Sequence, residues 1–218
     1  MPAVFLRFIV ILVALSASSA ASAQQMAGAE SALLQVKIGY LRAYEPQLAL
    51  SVLDVAPRDE GLAGADVAIA DNNTTGKFLG QIYSLAVTEV MFDADVRAAA
   101  QDLISKGANY ILADISAEQL LSVADLARER NVLILNVGAT DDRLREEACA
   151  SHVFHTAPTR SMLADGLAQY LIWKQWRRWV LIYGSHERDR LYADAIRRAA
   201  TRFVGELLLQ QDLTAKPR

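Results

Sequence analysis

The chain has 218 residues, 53% hydrophobic and 22% charged, with a net charge of −3. That apolar supply builds a globular core and excludes a disordered chain. The mildly acidic balance argues against nucleic acid or an anionic membrane as partner, because both are bound through basic patches.

Residues 1–23 read as an export signal. Arg7 precedes a short apolar run, and a Ser/Ala-rich tract ends in Ala21-Ser22-Ala23, an A-x-A cleavage site. The run falls short of the roughly 20 residues that span a bilayer. Cleavage removes Arg7 and no acid, moving the net charge from −3 to −4. Cys149 is the only cysteine, so no disulfide closes within the chain and stability rests on packing. It is either a buried thiol or half of a bridge to sequence outside this chain.

Residues 24–35 form a loose leader, and VKIGYL (36–41) is the first strand. Residues 42–57 carry Pro46 and Pro57 without a clear period. Tyr44 and Glu45, just past the strand, either reach the sheet edge in a functional loop or belong to a surface excursion. Residues 59–73 predict a helix with Leu62, Val67, Ile69 and Ala70 inward, ended by Gly76. Asp71, Asn73, Thr75 and Gly76 imitate the opening of a calcium loop. The twelfth position, which needs a bidentate Glu, is Ile82, so no metal is expected there. A strand over 81–87 and a helix over 93–106, with Val96, Ala99, Ala100 and Leu103 inward, follow.

Residues 107–142 contain one complete βαβ unit. Residues 109–114 and 132–137 are short runs rich in Ile, Val and Leu, the pattern of strands buried on both faces. Between them 116–130 has helical spacing, with Leu120, Ala124 and Ala127 on one side, and Ser116 with Gln119 fits a capping box. A helical crossover makes the strands parallel. Both then end at one edge, which sets Asp114, Ile115 and Ser116 beside Asn136, Gly138, Ala139 and Thr140. Open parallel sheets bind ligands at that edge. Backbone N–H groups at the start of the Ser116 helix would favour an anionic group on the ligand.

A short helical turn over 141–147 leads into CASHVFHTAP (149–158). Cys149, His152 and His155 have an even spacing that tempts a zinc assignment. Val153 and Phe154 make the segment extended, however, so positions three apart face opposite sides, and no metal is expected. The segment carries the chain toward a new region. A helix over 159–176 is apolar at Leu163, Leu167, Tyr170 and Leu171. Trp173, Trp176 and Trp179 are expected to pack its end against a strand over 179–184 rather than to stack on a ligand. A helix over 187–203 and a strand over 206–213 complete the chain. Two strands do not make a covered sheet alone, so this region reads as incomplete.

Alternating strands and helices give an α/β class with a doubly wound parallel sheet. No G-x-S-x-G elbow, P-loop or G-x-G-x-x-G occurs, and the neighbours Ser185 and His186 do not make a catalytic pair. Apart from Asp114, the strand-end residues are small, neutral and polar, suited to binding rather than acid–base work.

The chain resembles type I periplasmic solute-binding proteins of the branched-chain amino-acid-binding group. EGLAGADVAIADNNTTGKFLGQ (60–81) and HTAPTRSMLADGLAQYLIWKQWRRWVLIYG (155–184) resemble substrate-binding proteins of ABC transporters associated with PQQ-dependent alcohol dehydrogenase systems. The resemblance implies an N-terminal lobe over 36–157, a partial second lobe over 158–218 and a cleft holding a small solute. It also implies a permease partner in the inner membrane, a periplasmic location, and neither catalysis nor a cofactor. By position, the turns at Ile115-Ser116-Ala117 and Gly138-Ala139-Thr140 match cleft loops of the amino-acid binders. Family members run well beyond residue 218, so further second-lobe strands are expected. The chain departs from the amino-acid binders in having Ala117-Glu118 after Ser116, Asp189-Arg190 in the second-lobe helix, and residues 42–57 in place of a Ser-Gly turn. These departures point away from an α-amino-acid ligand. The rival reading is an adaptor that uses the same fold to bind a protein partner.

Overall fold

The computed structural model describes residues 33–44 and 57–212. The expected signal and leader up to residue 32, and Glu45 through residue 56 of the expected loop, lie outside the described residues. Five parallel strands form one sheet in the order β2-β1-β3-β4-β5, where β1 is Leu34–Tyr44, β2 Gln81–Met91, β3 Tyr110–Asp114, β4 Leu133–Asn136 and β5 Val153–His155. Among the described residues, α1 (Leu62–Leu79) lies between β1 and β2, α2 (Val96–Ser105) between β2 and β3, and α3 (Ala117–Glu129) between β3 and β4; a short 3-10 turn (Asp142–Arg145) separates β4 from β5, and α4 (Arg160–Trp173) follows β5. Helix α5 (Glu187–Phe203) follows β6 (Arg178–Tyr183), which pairs in parallel with β7 (Glu206–Asp212) in a separate two-stranded sheet.

The core lies between the main sheet and the pair α2 and α3. Leu41, Ile111, Ala113 and Ile134 meet Val96, Leu103, Leu120 and Val123 there, all of them buried. The apolar spacing of both helices dictates this, and the capping box predicted at Ser116 and Gln119 forms with both hydrogen bonds in place. The opposite face is different. Among the described residues helix α1 packs chiefly against β2, and Tyr110, Leu133 and Phe154 stand exposed on that face of the sheet. The expectation that β3 and β4 are buried on both faces therefore holds for one face only.

Several boundaries also shift. Helix α1 does not stop at Gly76 but continues to Leu79, and Gly80 ends it in the left-handed conformation with φ 68°. Gly76 is buried inside the helix because a Cβ there would lie 2.6 Å from the Gln81 carbonyl, so its small size lets α1 press on the start of β2. Asn73 clamps the same strand, its amide accepting from the Tyr83 N–H and donating to the Tyr83 carbonyl. Val67, expected inward, is exposed. Strand β2 runs four residues past the predicted end, because it pairs with β1 along its whole length.

In the second region, α4 packs on α5 through Ala164 and Ala168 against Ala195 and Ala199. The larger Leu163, Leu167 and Tyr170 are exposed instead. Small side chains let helix axes approach closely, and this outweighs the apolar stripe read from the sequence. Of the three tryptophans only Trp179 packs inward; Trp173 and Trp176 are 69% and 60% exposed.

Candidate functional site

Chain order and strand order part company between β1 and β3. From β1 the chain steps outward to β2, then turns back past β1 to β3, and continues in that same direction to β4 and β5. Neighbouring strands whose connections leave in opposite directions open a crevice at their carboxyl ends. The residues pairing nearest that crevice are Arg42 and Asp114.

Tyr40, Arg42 and Tyr44 share a face of β1 by simple alternation. Tyr40 is buried and its hydroxyl donates to Asp114 Oδ2 at 3.0 Å. Burial first, and then the Asp114 charge and hydrogen bond, push the phenol well above its ordinary pKa. Arg42 Nε lies 3.5 Å from the same carboxylate oxygen, and its Nη1 donates to the Arg58 carbonyl at 2.8 Å with Glu89 at 3.7 Å. Tyr44, half exposed at the end of β1, lies under the Arg42 guanidinium at 5.9 Å. Removing the phenol hydroxyl with Tyr40→Phe is expected to destabilise the protein by about 1.5 kcal/mol at neutral pH, the worth of a hydrogen bond to a charged group. Chemical denaturation measures it, and an unchanged midpoint contradicts it.

Asp114, Ile115 and Ser116 end β3, and Gly138, Ala139 and Thr140 follow β4. The two turns touch. A Cβ on Gly138 would stand 2.5 Å from Asp114 Oδ1, 3.2 Å from Asp114 Cα and 3.3 Å from the Ile115 nitrogen. Ile115 and Ala139 are buried, so each contributes backbone rather than side chain to the rim. Asn136 is fully buried at 0% exposure. Its Oδ1 accepts from the Ala139 N–H at 2.9 Å and its Nδ2 donates to the Ala139 carbonyl at 2.7 Å. Asn136 thus builds the 138–140 turn from beneath. The Thr140 carbonyl accepts from the Arg160 N–H, which ties the rim to the start of α4.

The start of α3 already holds an anion of the chain's own. The Glu118 carboxylate pairs with Arg143. Partial burial pushes its pKa up, but hydrogen bonds from its own backbone N–H, from Arg143 and from Ser116, with the Arg143 charge, outweigh that and hold it below the ordinary value. The helix terminus expected to favour an anionic ligand is therefore partly neutralised from within. Asp141, between Arg143 and Arg160, continues this chain of charge toward α4. His152 and His155 face different partners, His152 Nε2 meeting the Ala124 carbonyl and His155 Nδ1 meeting Asn136, as an extended segment requires.

Tyr40, Arg42, Glu89, Glu118, Arg143 and His155 were not among the residues the sequence singled out as site residues. Alternation from Tyr44 back to Arg42 and Tyr40 was the available signal for two of them. Nothing local ties Glu89 to the rim, because its partner there, Arg42, is distant in sequence; Arg143 lies only three residues past Thr140, and that nearness was its available signal.

The chain matches the family described as periplasmic binding protein over residues 56–216. No curated protein matches it. Its fold is similar to that of an ABC transporter substrate-binding protein from Desulfitobacterium hafniense in complex with Leu, with TM-score 0.65, 17% identity, and 84% of this chain covering 51% of that one. A branched chain amino acid ABC transporter periplasmic ligand-binding protein from Burkholderia xenovorans gives TM-score 0.65, 20% identity, and coverage of 84% and 48%. A solute binding protein of an ABC transporter from Rhodopseudomonas palustris, in complex with 3,4-dihydroxy benzoic acid, gives 0.58, 14%, 82% and 47%. At these identities the likeness is one of fold. The chain spans about half the length of the solved structures it matches.

Proposed function

Because this chain belongs to the periplasmic binding protein family, a family of solute binders rather than enzymes, we propose that it captures a small solute for an ABC transporter and presents it to a permease in the inner membrane. One observation carries the reading. The 114–116 and 138–140 turns lie in contact on a single rim of a parallel sheet, beside its switch point. The export signal over 1–23 and the periplasmic location belong to the same proposal, as do a first lobe over 36–157 and a second beginning at 158.

The rim points to a solute recognised mainly by hydrogen bonds. Ser116 and Thr140 supply hydroxyls, Asp114 supplies a carboxylate, and the 138–140 turn supplies backbone at close range. With Glu118 beside the helix start, the solute's own acid, if it carries one, is not held by that helix alone. Leu and 3,4-dihydroxy benzoic acid, named for structures of similar fold, set the expected size. The two sequence blocks at 60–81 and 155–184 support a finer proposal, that the solute is a substrate, product or cofactor-related molecule of PQQ-dependent alcohol oxidation.

Native mass spectrometry of the exported protein is expected to find a co-purified small molecule. Calorimetry with that molecule is expected to show affinity reduced about five- to tenfold by Thr140→Ala and by Ser116→Ala, the worth of one hydrogen bond each. Affinity unchanged in both variants would overturn the assignment of the rim. The absence of any thermal shift across alcohols, aldehydes, hydroxy acids and amino acids would favour the adaptor reading.

A further inference from the structure

We infer that His155 is a positioning residue for the 138–140 turn, acting through Asn136, and that only its neutral form does so. The argument is one of donors and acceptors. Asn136 Oδ1 faces the Ala139 N–H and so must be the oxygen, which leaves Nδ2 as the donor toward the Ala139 carbonyl. The second Nδ2 hydrogen points at His155 Nδ1, 3.0 Å away. That ring nitrogen must therefore accept, and the ring proton sits on Nε2, which is buried without a partner in hydrogen-bond geometry among the described residues.

Protonating the ring would set an N–H against the Asn136 amide hydrogens. Asn136 is fully buried and has no other acceptor for that hydrogen among the described residues, so it must turn or shift, and its hold on Ala139 goes with it. The surroundings disfavour the charged ring: burial, and then the positive charge of Arg145, lower its pKa, against a smaller opposing pull from the Leu144 backbone. Arg145, on the short 3-10 turn Asp142–Arg145, is the charged group that faces the ring, and it also donates to the carbonyls of His155 and Ala157. Neutral Asn136 is the facing group on β4, and Asp114 lies one strand further, beyond Gly138.

The sign follows from linkage. A base whose folded pKa is depressed leaves the packed turn at full stability above the ordinary histidine value of about 6.5. Stability is lost as pH falls from there through the folded value, because the opened turn takes up the proton more readily. The consequence for solute affinity, weaker binding in acid, rests on the proposed function. The turn itself is testable without a solute, so the two ideas fail separately.

The experiment is a pH series of 15N NMR spectra on the whole chain. Above pH 7 the His155 ring nitrogens are expected to show the Nε2–H tautomer. As His155 gains its proton below pH 6.5, exchange protection of the Ala139 amide is expected to fall about tenfold, the loss of one hydrogen bond. The Leu120 amide in α3 serves as the reference and stays protected. His155→Gln, which offers an acceptor oxygen that does not titrate, is expected to keep Ala139 protection flat over the same range. His155→Leu is expected to lose it at every pH. An Nδ1–H tautomer, or Ala139 protection that stays constant while His155 titrates in the parent chain, would overturn the inference even if a variant fails to fold.

Discussion

Asn136→Leu is expected to destabilise the protein by about 2–4 kcal/mol, the range for stranding buried polar partners. Leucine keeps the branch at Cγ and carries no hydrogen-bonding group; its two methyls take more room than the amide, so overpacking adds to the cost of the substitution. It removes the acceptor for the Ala139 N–H, the donor to the Ala139 carbonyl and the donor to His155 Nδ1, all in a position with no exposure. The backbone of Asn136 continues to accept from Thr156 and Ala157, so strand pairing itself survives. The expected signature is a lower denaturant midpoint with an unchanged m-value, together with loss of whatever affinity the 138–140 turn provides. A midpoint shift worth less than about 0.5 kcal/mol, the range of ordinary surface substitutions, would show that the amide is not what holds the turn.

Gly138→Val is expected to cost about 2–3 kcal/mol, as overpacking does. The side chain has nowhere to go. Two of the three nearest atoms are backbone, Asp114 Cα and the Ile115 nitrogen, and the third is Asp114 Oδ1, on a carboxylate whose other oxygen, Oδ2, is held by Tyr40 and Arg42. Relief requires the ends of β3 and β4 to separate, which widens the rim and moves Ser116 away from Thr140. Gly138 does not occupy the left-handed region, so the demand here is for space alone. Gly166→Ala is the matched control. A Cβ at Gly166, inside α4, meets nothing within 4 Å, and helix propensity predicts a gain of up to about 1 kcal/mol. Equal effects from the two glycines, measured by chemical denaturation, would refute the close-approach argument.

Both predictions concern the contact between two turns, and that contact was partly legible in the sequence. The βαβ pattern over 107–142 was enough to place Ser116 and Thr140 at one edge, because a helical crossover leaves parallel strands no other arrangement. The capping box at Ser116 and Gln119 was legible for the same reason: its hydrogen bonds close within four residues. The inner roles were not. Asn136 looked like a rim residue from its place at a strand end, yet its alternation with Leu135 turns it under the sheet edge, where Ala139 and His155 consume its amide. Gly76 looked like a helix stop, since nothing local announces that β2 returns to press on it.

The alanine seam between α4 and α5 makes the same point from the other side. Leu163, Leu167 and Tyr170 form the stripe that hydrophobicity selects, yet Ala164 and Ala168 face the partner helix, because a close approach is decided by how little a side chain projects.

The sequence alone determined the order of strands and helices, the parallel direction of the main sheet and the edge at which its polar turns gather, all consequences of short-range periodicity and of the handedness of crossovers. Tertiary structure alone decided that Tyr40 and Arg42 grip Asp114 across 74 and 72 residues of chain, and that Glu118 fills the helix start with Arg143. It also decided that His155 holds Asn136 in place. Those pairings depend on which residues the strand order makes neighbours, and hydrogen bonds act over about 3 Å in space whatever the separation along the chain.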